Sequence, residues 1–153
     1  LIELLVVLII IGITATLITV NFNSLNSIEK QSNSFQRTVN FLTEESIITG
    51  NEIGLYLSSN KQFAEYLTDD NKNKIDSNYK NAFWSETSSL RKTFKFEDGS
   101  IIELNDQMLE LPMMIFYPSG ENSGGQIDIY HSNYIQRLVI FSNGKITDEI
   151  ISY

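Results

Sequence analysis

The sequence opens with an uninterrupted apolar run. Residues 1–20 read LIELLVVLIIIGITATLITV and contain a single ionisable residue, Glu3. A helix needs about 20 mostly apolar residues to cross a bilayer. This run therefore predicts a transmembrane helix.

After the apolar run, apolar residues recur at three- and four-residue spacing, the period of an amphipathic helix. The apolar stripe consists of Leu25, Ile28, Phe35, Val39 and Leu42, with Ser32 filling one gap, and the opposite face carries Glu29, Lys30, Asn33, Arg37 and Glu44. Gly50 is the expected stop, because glycine is favoured just past a helix C terminus. The pattern predicts one helix of roughly 45–50 residues whose second half packs on a sheet.

From Glu52 onward the period changes to two, which indicates strands. Ile53, Leu55 and Leu57 alternate with more polar positions, and so do Phe94 and Phe96. Further strands are predicted at residues 101–104, 115–117, 127–130, 135–141 and 145–151. Asp98-Gly99 and Asn143-Gly144 are two-residue hairpin signals. The polar stretch at residues 68–81 predicts a surface loop.

These patterns predict an α+β fold in which a long N-terminal helix packs on a small antiparallel β-sheet head. Three segments follow from them: residues 1–22 as the transmembrane part of the helix, 23–50 as its amphipathic part, and 51–153 as a β-rich head. Phe83 and Trp84 are expected to anchor the core beneath the polar loop.

Charge and composition narrow the function classes. The formal net charge is −8, and from Asn51 onward 9 Lys and Arg stand against 15 Asp and Glu, a difference of −6. Binding to nucleic acid relies on clustered Lys and Arg; the nearest cluster here, Arg91-Lys92 with Lys95, is diluted by acidic neighbours. We therefore expect no nucleic-acid partner. There is no cysteine, so the head is not held by disulfides.

The candidate catalytic and metal-binding residues are few. His131 is the only histidine; it follows a predicted strand and is expected in a turn. Ser119 lacks the flanking glycines of a nucleophile elbow. Asp69, Asn71 and Asn73 imitate the start of a calcium loop, but Lys74 stands where the turn glycine belongs. We expect no enzyme activity, no cofactor and no metal.

Glu3 is the most informative residue of the chain. A carboxylate within a membrane-spanning segment costs several kcal/mol unless it is paired, so such residues are rare and functional. Its partner would be the N-terminal amine of a neighbouring subunit in a helical filament. The alternative is a glutamate at the membrane interface, tolerated by the dipole at the helix N terminus. The residues alone leave both interpretations open.

The N-terminal sequence LIELLVVLIIIGI resembles the start of type IV pilins and type II secretion pseudopilins, which typically read Phe-Thr-Leu-Ile-Glu after cleavage. In that family the glutamate is the fifth residue of the mature chain, so we expect two residues to precede Leu1. The resemblance implies cleavage by a prepilin peptidase, N-methylation and storage in the inner membrane. It also implies a subunit-assembly surface made of Leu1, Ile2, Glu3, Leu4 and Leu5. Many pilins carry a proline near Val20, and this chain does not.

Three further passages resemble the H-type minor pseudopilins (the GspH/FimT family). They are LTEESIITGNEIGLYLS at the end of the helix, Trp84 with Leu90-Arg91, and LPMMIFYPSGENSGGQIDI at residues 111–129. The family signature falls on Pro118, Ser119, Gly120 and Glu121. Physically, Pro118 ends a strand, and Gly120, Gly124 and Gly125 permit a reversal. Either this passage is purely structural, or Glu121 contacts a neighbouring subunit.

The resemblance implies a structural minor pseudopilin of a type II secretion system. Such a subunit would lie in the inner membrane as a single-pass protein with a periplasmic head and would assemble with other major and minor pseudopilins near the filament tip. The alternative is a FimT-like minor type IV pilin involved in pilus assembly or DNA uptake. The C-terminal sequence GKITDEIISY favours secretion, because Asp148 and Glu149 outweigh Lys145. A major adhesive pilin is disfavoured, because those commonly close a C-terminal loop with a disulfide.

Overall fold

The computed structural model describes residues 2–67, 75, 82–107 and 110–153, and for residues 5, 12–33 and 82–83 it describes the backbone alone. The chain forms two compact units, Leu1–Gln31 and Ser32–Tyr153, called here the N-terminal unit and the head unit. Leu1, the side chains of Leu5, Leu25, Ile28 and Phe83, and the predicted polar loop apart from Ile75 lie outside the described residues.

The first element is helix α1, Ile2–Thr49. It ends where the sequence predicts: Gly50 has a φ of +67°, and its N–H donates to the carbonyl of Ser46 at 3.0 Å. Phe35, Val39 and Leu42 are fully buried on one face of the helix. The amphipathic pattern is therefore confirmed within the head unit.

The N-terminal unit contains the apolar part of α1. Across the described part of the chain, no helix combines the length and the apolar character needed to span a membrane. The predicted span at residues 1–20 is not confirmed.

The rest of the head unit contains eight described strands in two sheets, and each neighbouring pair is antiparallel. The three-stranded sheet has the order β2-β1-β5, and the five-stranded sheet has the order β4-β3-β6-β7-β8. The predicted α+β class with an antiparallel head is confirmed. The elements after α1 are β1 Ile53–Leu57, β2 Gln62–Tyr66, α2 Ala82–Glu86, β3 Arg91–Lys95, β4 Ile101–Leu104, β5 Met114–Phe116, β6 Gly125–Tyr130, β7 Tyr134–Ile140 and β8 Ile146–Ser152.

The two predicted hairpins form, but each loop is one residue longer than expected. Phe96 N–H donates to Ser100 O at 2.9 Å, and Gly99 N–H donates to Phe96 O at 3.0 Å. The β7–β8 reversal repeats this arrangement from Phe141 to Lys145. Each is a three-residue loop whose glycine has a positive φ after the turn, +88° at Gly99, which is the glycine-bulge form of hairpin.

Strand β1 differs from its predicted alternation, since all five of its residues are buried. It is the central strand of its sheet, and both of its faces are covered. The ring of Tyr56 stacks on Phe63 with centroids 4.7 Å apart. A Cβ added to Gly54 would lie 2.9 Å from Leu67 and 3.0 Å from Pro112. The apolar-polar pattern of β1 therefore does not mark a solvent-exposed face.

The core of the head unit lies between the buried face of α1 and the sheets. Trp84 anchors it as predicted: its side chain is 1% exposed, its ring stacks on Phe35 with centroids 6.1 Å apart, and its indole N–H donates to Ser58 O at 2.9 Å. Other fully buried core residues are Ile53, Leu55, Phe94, Met114, Phe116, Ile127, Ile129 and Leu138.

Candidate subunit-assembly site

The first candidate site is the start of α1, where apolar side chains face outward. Ile2 is 82% exposed and Leu4 68% exposed, and the side chains of residues 6–11 are all about half exposed. Glu3 lies among them in the first helical turn and is exposed. No ion pair joins Glu3 to another residue that the structure describes. Leu1 and the side chain of Leu5, predicted for the same surface, lie outside the described residues.

The second candidate site is the signature loop, residues 118–121, which follows β5. Tyr117 N–H donates to Glu121 O, and Gly120 N–H donates to Tyr117 O, both at 2.9 Å. Gly120 has a φ of +87°, a conformation that glycine adopts without steric cost. Pro118, Ser119 and Glu121 are exposed. The passage is therefore a tight reversal, as predicted, and it holds the Glu121 side chain at the surface.

The end of α1 holds the signature loop in place. Ser46 is fully buried, and its hydroxyl donates to Tyr117 O at 2.9 Å. A Cβ added to Gly120 would lie 3.3 Å from the side chain of Ile47, so the glycine also allows close packing. Ser46 was not predicted as an anchor. Its signal in the sequence is its position, four residues after Leu42 on the apolar stripe of the helix.

On its other side, the signature loop is bonded to the β7–β8 reversal. Asn122 is 3% exposed. Its amide donates to Phe141 O at 3.1 Å, and its carbonyl oxygen accepts from Gly124 N–H at 2.7 Å. Gly124 and Gly125 both have positive φ, as the predicted reversal requires. The loop is thus fixed by hydrogen bonds between side chains and backbone rather than by charges.

Gln36 connects α1 to the same reversal. Its amide donates to Gly144 O at 2.8 Å, and its carbonyl oxygen accepts from Ile146 N–H at 3.1 Å. A groove of about 360 Å³ lies beside this contact, between α1 and the β7–β8 reversal. Gln36 thereby fixes the start of β8 against the helix.

A buried lysine, whose burial sequence reasoning missed, lies in another part of the head unit. Lys92 is fully buried in β3, and its ammonium donates to Ser59 O at 2.6 Å and to Thr87 O. The ammonium also lies 5.2 Å from the centre of the Trp84 ring. Burial disfavours the charged form and lowers the pKa of Lys92 to about 8. Lys92 thus links the β1–β2 loop, the segment after α2 and β3.

The described residues offer little for metal chemistry. Within the described ranges, no group of three His, Cys, Asp or Glu could hold a metal ion. His131 lies in the β6–β7 turn, as expected, and stacks on Tyr134 with ring centroids 4.3 Å apart. Asp69, Asn71, Asn73 and Lys74, the calcium-loop imitation, lie outside the described residues.

Comparison with known proteins relates this arrangement to one fold. No family model matches the sequence, and no curated protein matches it. A solved structure of the minor pseudopilin EpsH from the type 2 secretion system of Vibrio cholerae is similar, with a TM-score of 0.57 and 19% identity, covering 82% of this chain and 95% of that chain. A crystal structure of EpsH from the same system gives a TM-score of 0.55 and 18% identity, covering 80% and 92%. The resemblance to H-type pseudopilins is therefore confirmed at the level of the fold.

Proposed function

We propose that this chain is a structural minor pseudopilin of a type II secretion system, which assembles into a pseudopilus and contributes to protein export. The observation that carries the proposal is its fold likeness to EpsH, which extends over nearly the whole of that chain. The role is one of assembly rather than catalysis. Its partners would be other major and minor pseudopilins, near the filament tip.

The start of α1 supplies the proposed contact with the filament spine and the inner membrane. Two observations support it: residues 1–20 hold a single ionisable residue, and Ile2 and Leu4 are largely exposed. Exposed apolar patches mark surfaces that protein or lipid covers. Glu3 would pair there with the N-terminal amine of a neighbouring subunit, after prepilin peptidase cleavage and N-methylation. The head would then lie in the periplasm.

The charges of the head support protein partners rather than DNA. Two arginines form ion pairs: Arg137 Nη2 lies 2.8 Å from Asp128 Oδ2, and Arg91 Nε lies 3.0 Å from Glu103 Oε1. Lys92 is buried. These three cations are therefore engaged within the head, which is acidic in total. A FimT-like role in DNA uptake would need accessible basic residues for the phosphates, so we treat it as the alternative to be tested.

The test is a side-by-side titration of the full chain in detergent micelles. One arm adds the heads of the other minor pseudopilins from the same organism, and the other adds duplex DNA at low salt. Binding to the heads without binding to DNA is the expected result. DNA binding that weakens steeply with salt would instead identify an uptake pilin and overturn the proposal.

A contact role for Glu121 is tested by disulfide trapping. The natural chain has no cysteine, so a single introduced thiol reports one position. We compare Glu121→Cys with Glu97→Cys, an exposed glutamate in another reversal, each mixed with cysteine variants of the partner heads. Trapping through position 121 alone indicates a contact surface. Equal trapping at both positions, or none, leaves the signature loop with a structural role only.

A further inference from the structure

The five-stranded sheet ends in a long strand with an open edge. Strand β8 pairs with β7 from Tyr134↔Ser152 to Ile140↔Ile146, and it has no neighbour on its other side among the described strands. Phe141 N–H donates to Lys145 O, and Tyr153 N–H donates to Asn133 O. Since hydrogen-bonded and non-hydrogen-bonded pairs alternate along an antiparallel ladder, residues 147, 149 and 151 bond to β7. The backbone groups of residues 146, 148, 150 and 152 therefore turn outward.

Among the residues that the structure describes, the outward groups of β8 have a hydrogen-bond partner at one end of the strand only. Ile146 N–H donates to the side chain of Gln36. Within the described residues, the N–H and C=O groups of Asp148, Ile150 and Ser152 have no hydrogen-bond partner. The edge of the other sheet is partly covered, since Ala64 O in β2 accepts from Ile75 N–H at 3.0 Å. Residues 148–152, called here the β8 edge, thus form an open template for one more strand.

The side chains of the β8 edge indicate what would bind there. Ile150 is 44% exposed and Tyr153 73% exposed, so apolar surface borders the free backbone groups. Asp148 accepts a hydrogen bond from Gln136 through Oδ2 at 2.9 Å, while its Oδ1 is buried and has no partner within the described residues. Burial raises the pKa of this carboxyl. A buried carboxylate oxygen without a partner is costly unless a donor or cation reaches it.

We propose that the β8 edge accepts an extended segment of another protein as an added strand, and that this segment carries a Lys or Arg beside Asp148 and an apolar residue beside Ile150. Main-chain hydrogen bonds would supply affinity and the side chains selectivity, as in other cases of strand addition. Charge favours a different protein over a second copy, because a second copy brings the acidic pair Asp148 and Glu149 to an acidic head. The proposal rests on the edge itself and not on the pseudopilus assignment.

The test uses the full ¹⁵N-labelled chain in detergent micelles and a synthetic peptide, Val-Thr-Lys-Thr-Val, with blocked ends, in which the apolar residues lie two positions from Lys, as Ile150 lies from Asp148. We expect the peptide to shift the amide signals of Asp148, Ile150 and Ser152 and to slow their hydrogen exchange. A matched peptide with Glu in place of Lys is expected to bind about 10-fold more weakly, the ratio that 1.4 kcal/mol produces. In the Asp148→Asn variant, most of the difference in affinity between the Lys peptide and the Glu peptide should disappear.

A proline variant tests the backbone part of the proposal. Ile150→Pro removes an outward N–H and leaves the β7 ladder intact, because proline is tolerated on an edge strand where its nitrogen faces solvent. We expect it to abolish peptide binding. The matched control is Ile101→Pro on β4, at the opposite edge of the same sheet. Phe96 bonds to Ser100, so the N–H of Ile101 also turns outward, and this variant should bind the peptide normally.

Three results would overturn the proposal: equal binding of the Lys and Glu peptides, peptide-induced shifts confined to residues away from β8, or unchanged binding in Ile150→Pro. If that variant does not fold, the peptide pair and Asp148→Asn decide the question on the natural backbone. Concentration-dependent shifts of the same three amides without peptide would show that a second copy occupies the edge. That result would also contradict the proposed partner.

Discussion

The N-terminal unit and the head unit differ in how far their apolar and charged side chains are exposed. In the first, Ile2 and Leu4 are largely exposed, with Glu3 between them. In the second, Phe35 and Phe116 are fully buried, and so is Lys92, whose ammonium is bonded to backbone carbonyls. The head unit buries large apolar side chains in a core of its own, whereas the described apolar side chains at the start of α1 are exposed. We therefore expect substitutions in the head unit to lower the free energy of unfolding, and substitutions at the start of α1 to impair incorporation into filaments.

The largest loss of head stability is expected from Gly125→Ala. Gly125 has a φ of +146°, and an added Cβ would overlap the ring of Phe94. Because Phe94 is fully buried, it cannot move aside, and we expect a loss of about 3 kcal/mol or more. Urea unfolding of the full chain in micelles, followed by the fluorescence of Trp84, measures it.

The control for that variant is Gly99→Ala. Gly99 also has a positive φ, but an added Cβ would meet nothing within 4 Å. Only the backbone strain remains, about 1–2 kcal/mol. Equal losses in the two variants would show that the contact with Phe94 does not matter.

The next largest loss is expected from Lys92→Ala. The substitution leaves a cavity and takes the donor away from the carbonyls of Ser59 and Thr87, so we expect about 3 kcal/mol. Lys95→Ala, at an exposed position of the same strand, should stay within about 0.5 kcal/mol. A similar small effect for Lys92→Ala would mean that the buried ammonium contributes no net stability.

Gln36→Ala should cost less, about 1–2 kcal/mol, because two hydrogen bonds to the β7–β8 reversal are lost. Hydrogen exchange at Ile146 should accelerate, since its N–H loses its acceptor. Arg37→Ala, at the neighbouring exposed position, is the control and should leave that amide unchanged. Unaltered exchange at Ile146 in Gln36→Ala would contradict the assignment of this contact.

A smaller effect, on the pH dependence of the free energy of unfolding, follows from the lowered pKa of Lys92. Its folded value is about 8, below its ordinary value of 10.5, so between these values the unfolded chain binds more protons. The free energy of unfolding should therefore rise as pH increases above 8. The free energy of unfolding should be measured between pH 7.5 and about 9.5, because tyrosines titrate from about pH 10. The free energy of unfolding of Lys92→Met should not rise over this pH range. If the rise persists in that variant, another group causes it.

The smallest effect on head stability is expected from Glu3→Gln, within about 0.5 kcal/mol. The same variant should nevertheless lose incorporation into filaments, measured by co-sedimentation with the other pseudopilins, because its neutral amide cannot pair with an amine as an ion. Glu52→Gln, an exposed glutamate of the head, is the control and should incorporate normally. A Glu3→Gln chain that assembles normally would remove the proposed ion pair.

The parts of the fold that the sequence predicts are those with a local signal. The Asn-Gly and Asp-Gly reversals, the stop at Gly50 and the stripe of Phe35, Val39 and Leu42 depend on neighbours within a few residues. Strand β2 and helix α2 were missed because five residues with mixed polarity show no clear period. The burial of Lys92 depends on Ser59, 33 residues away, and no local pattern encodes that contact.

The candidate site likewise has a part that the local sequence predicts and a part that depends on distant contacts. The signature loop is a reversal because of Pro118 and Gly120, which the sequence displays. Its attachment through Ser46 and Asn122 joins segments 71 and 19 residues apart, so it could not be read from either segment alone. The partner of Glu3 belongs to another molecule and stays a prediction.

Three reversals of this head share one backbone arrangement, at residues 96–100, 117–121 and 141–145, and the bonds that close each loop belong to its flanking residues and its glycine. The two tip positions between them, such as Pro118 and Ser119, are exposed and lend no backbone bond to that closure. In each loop the side chain at the second tip position accepts a hydrogen bond from the backbone N–H two residues further on: Asp98 from Ser100, Ser119 from Glu121 and Asn143 from Lys145. The first tip position of these described loops accepts no such bond, so an exposed residue there, such as Glu97, is a natural place to attach a fluorescent label with which the subunit could be followed in a living cell.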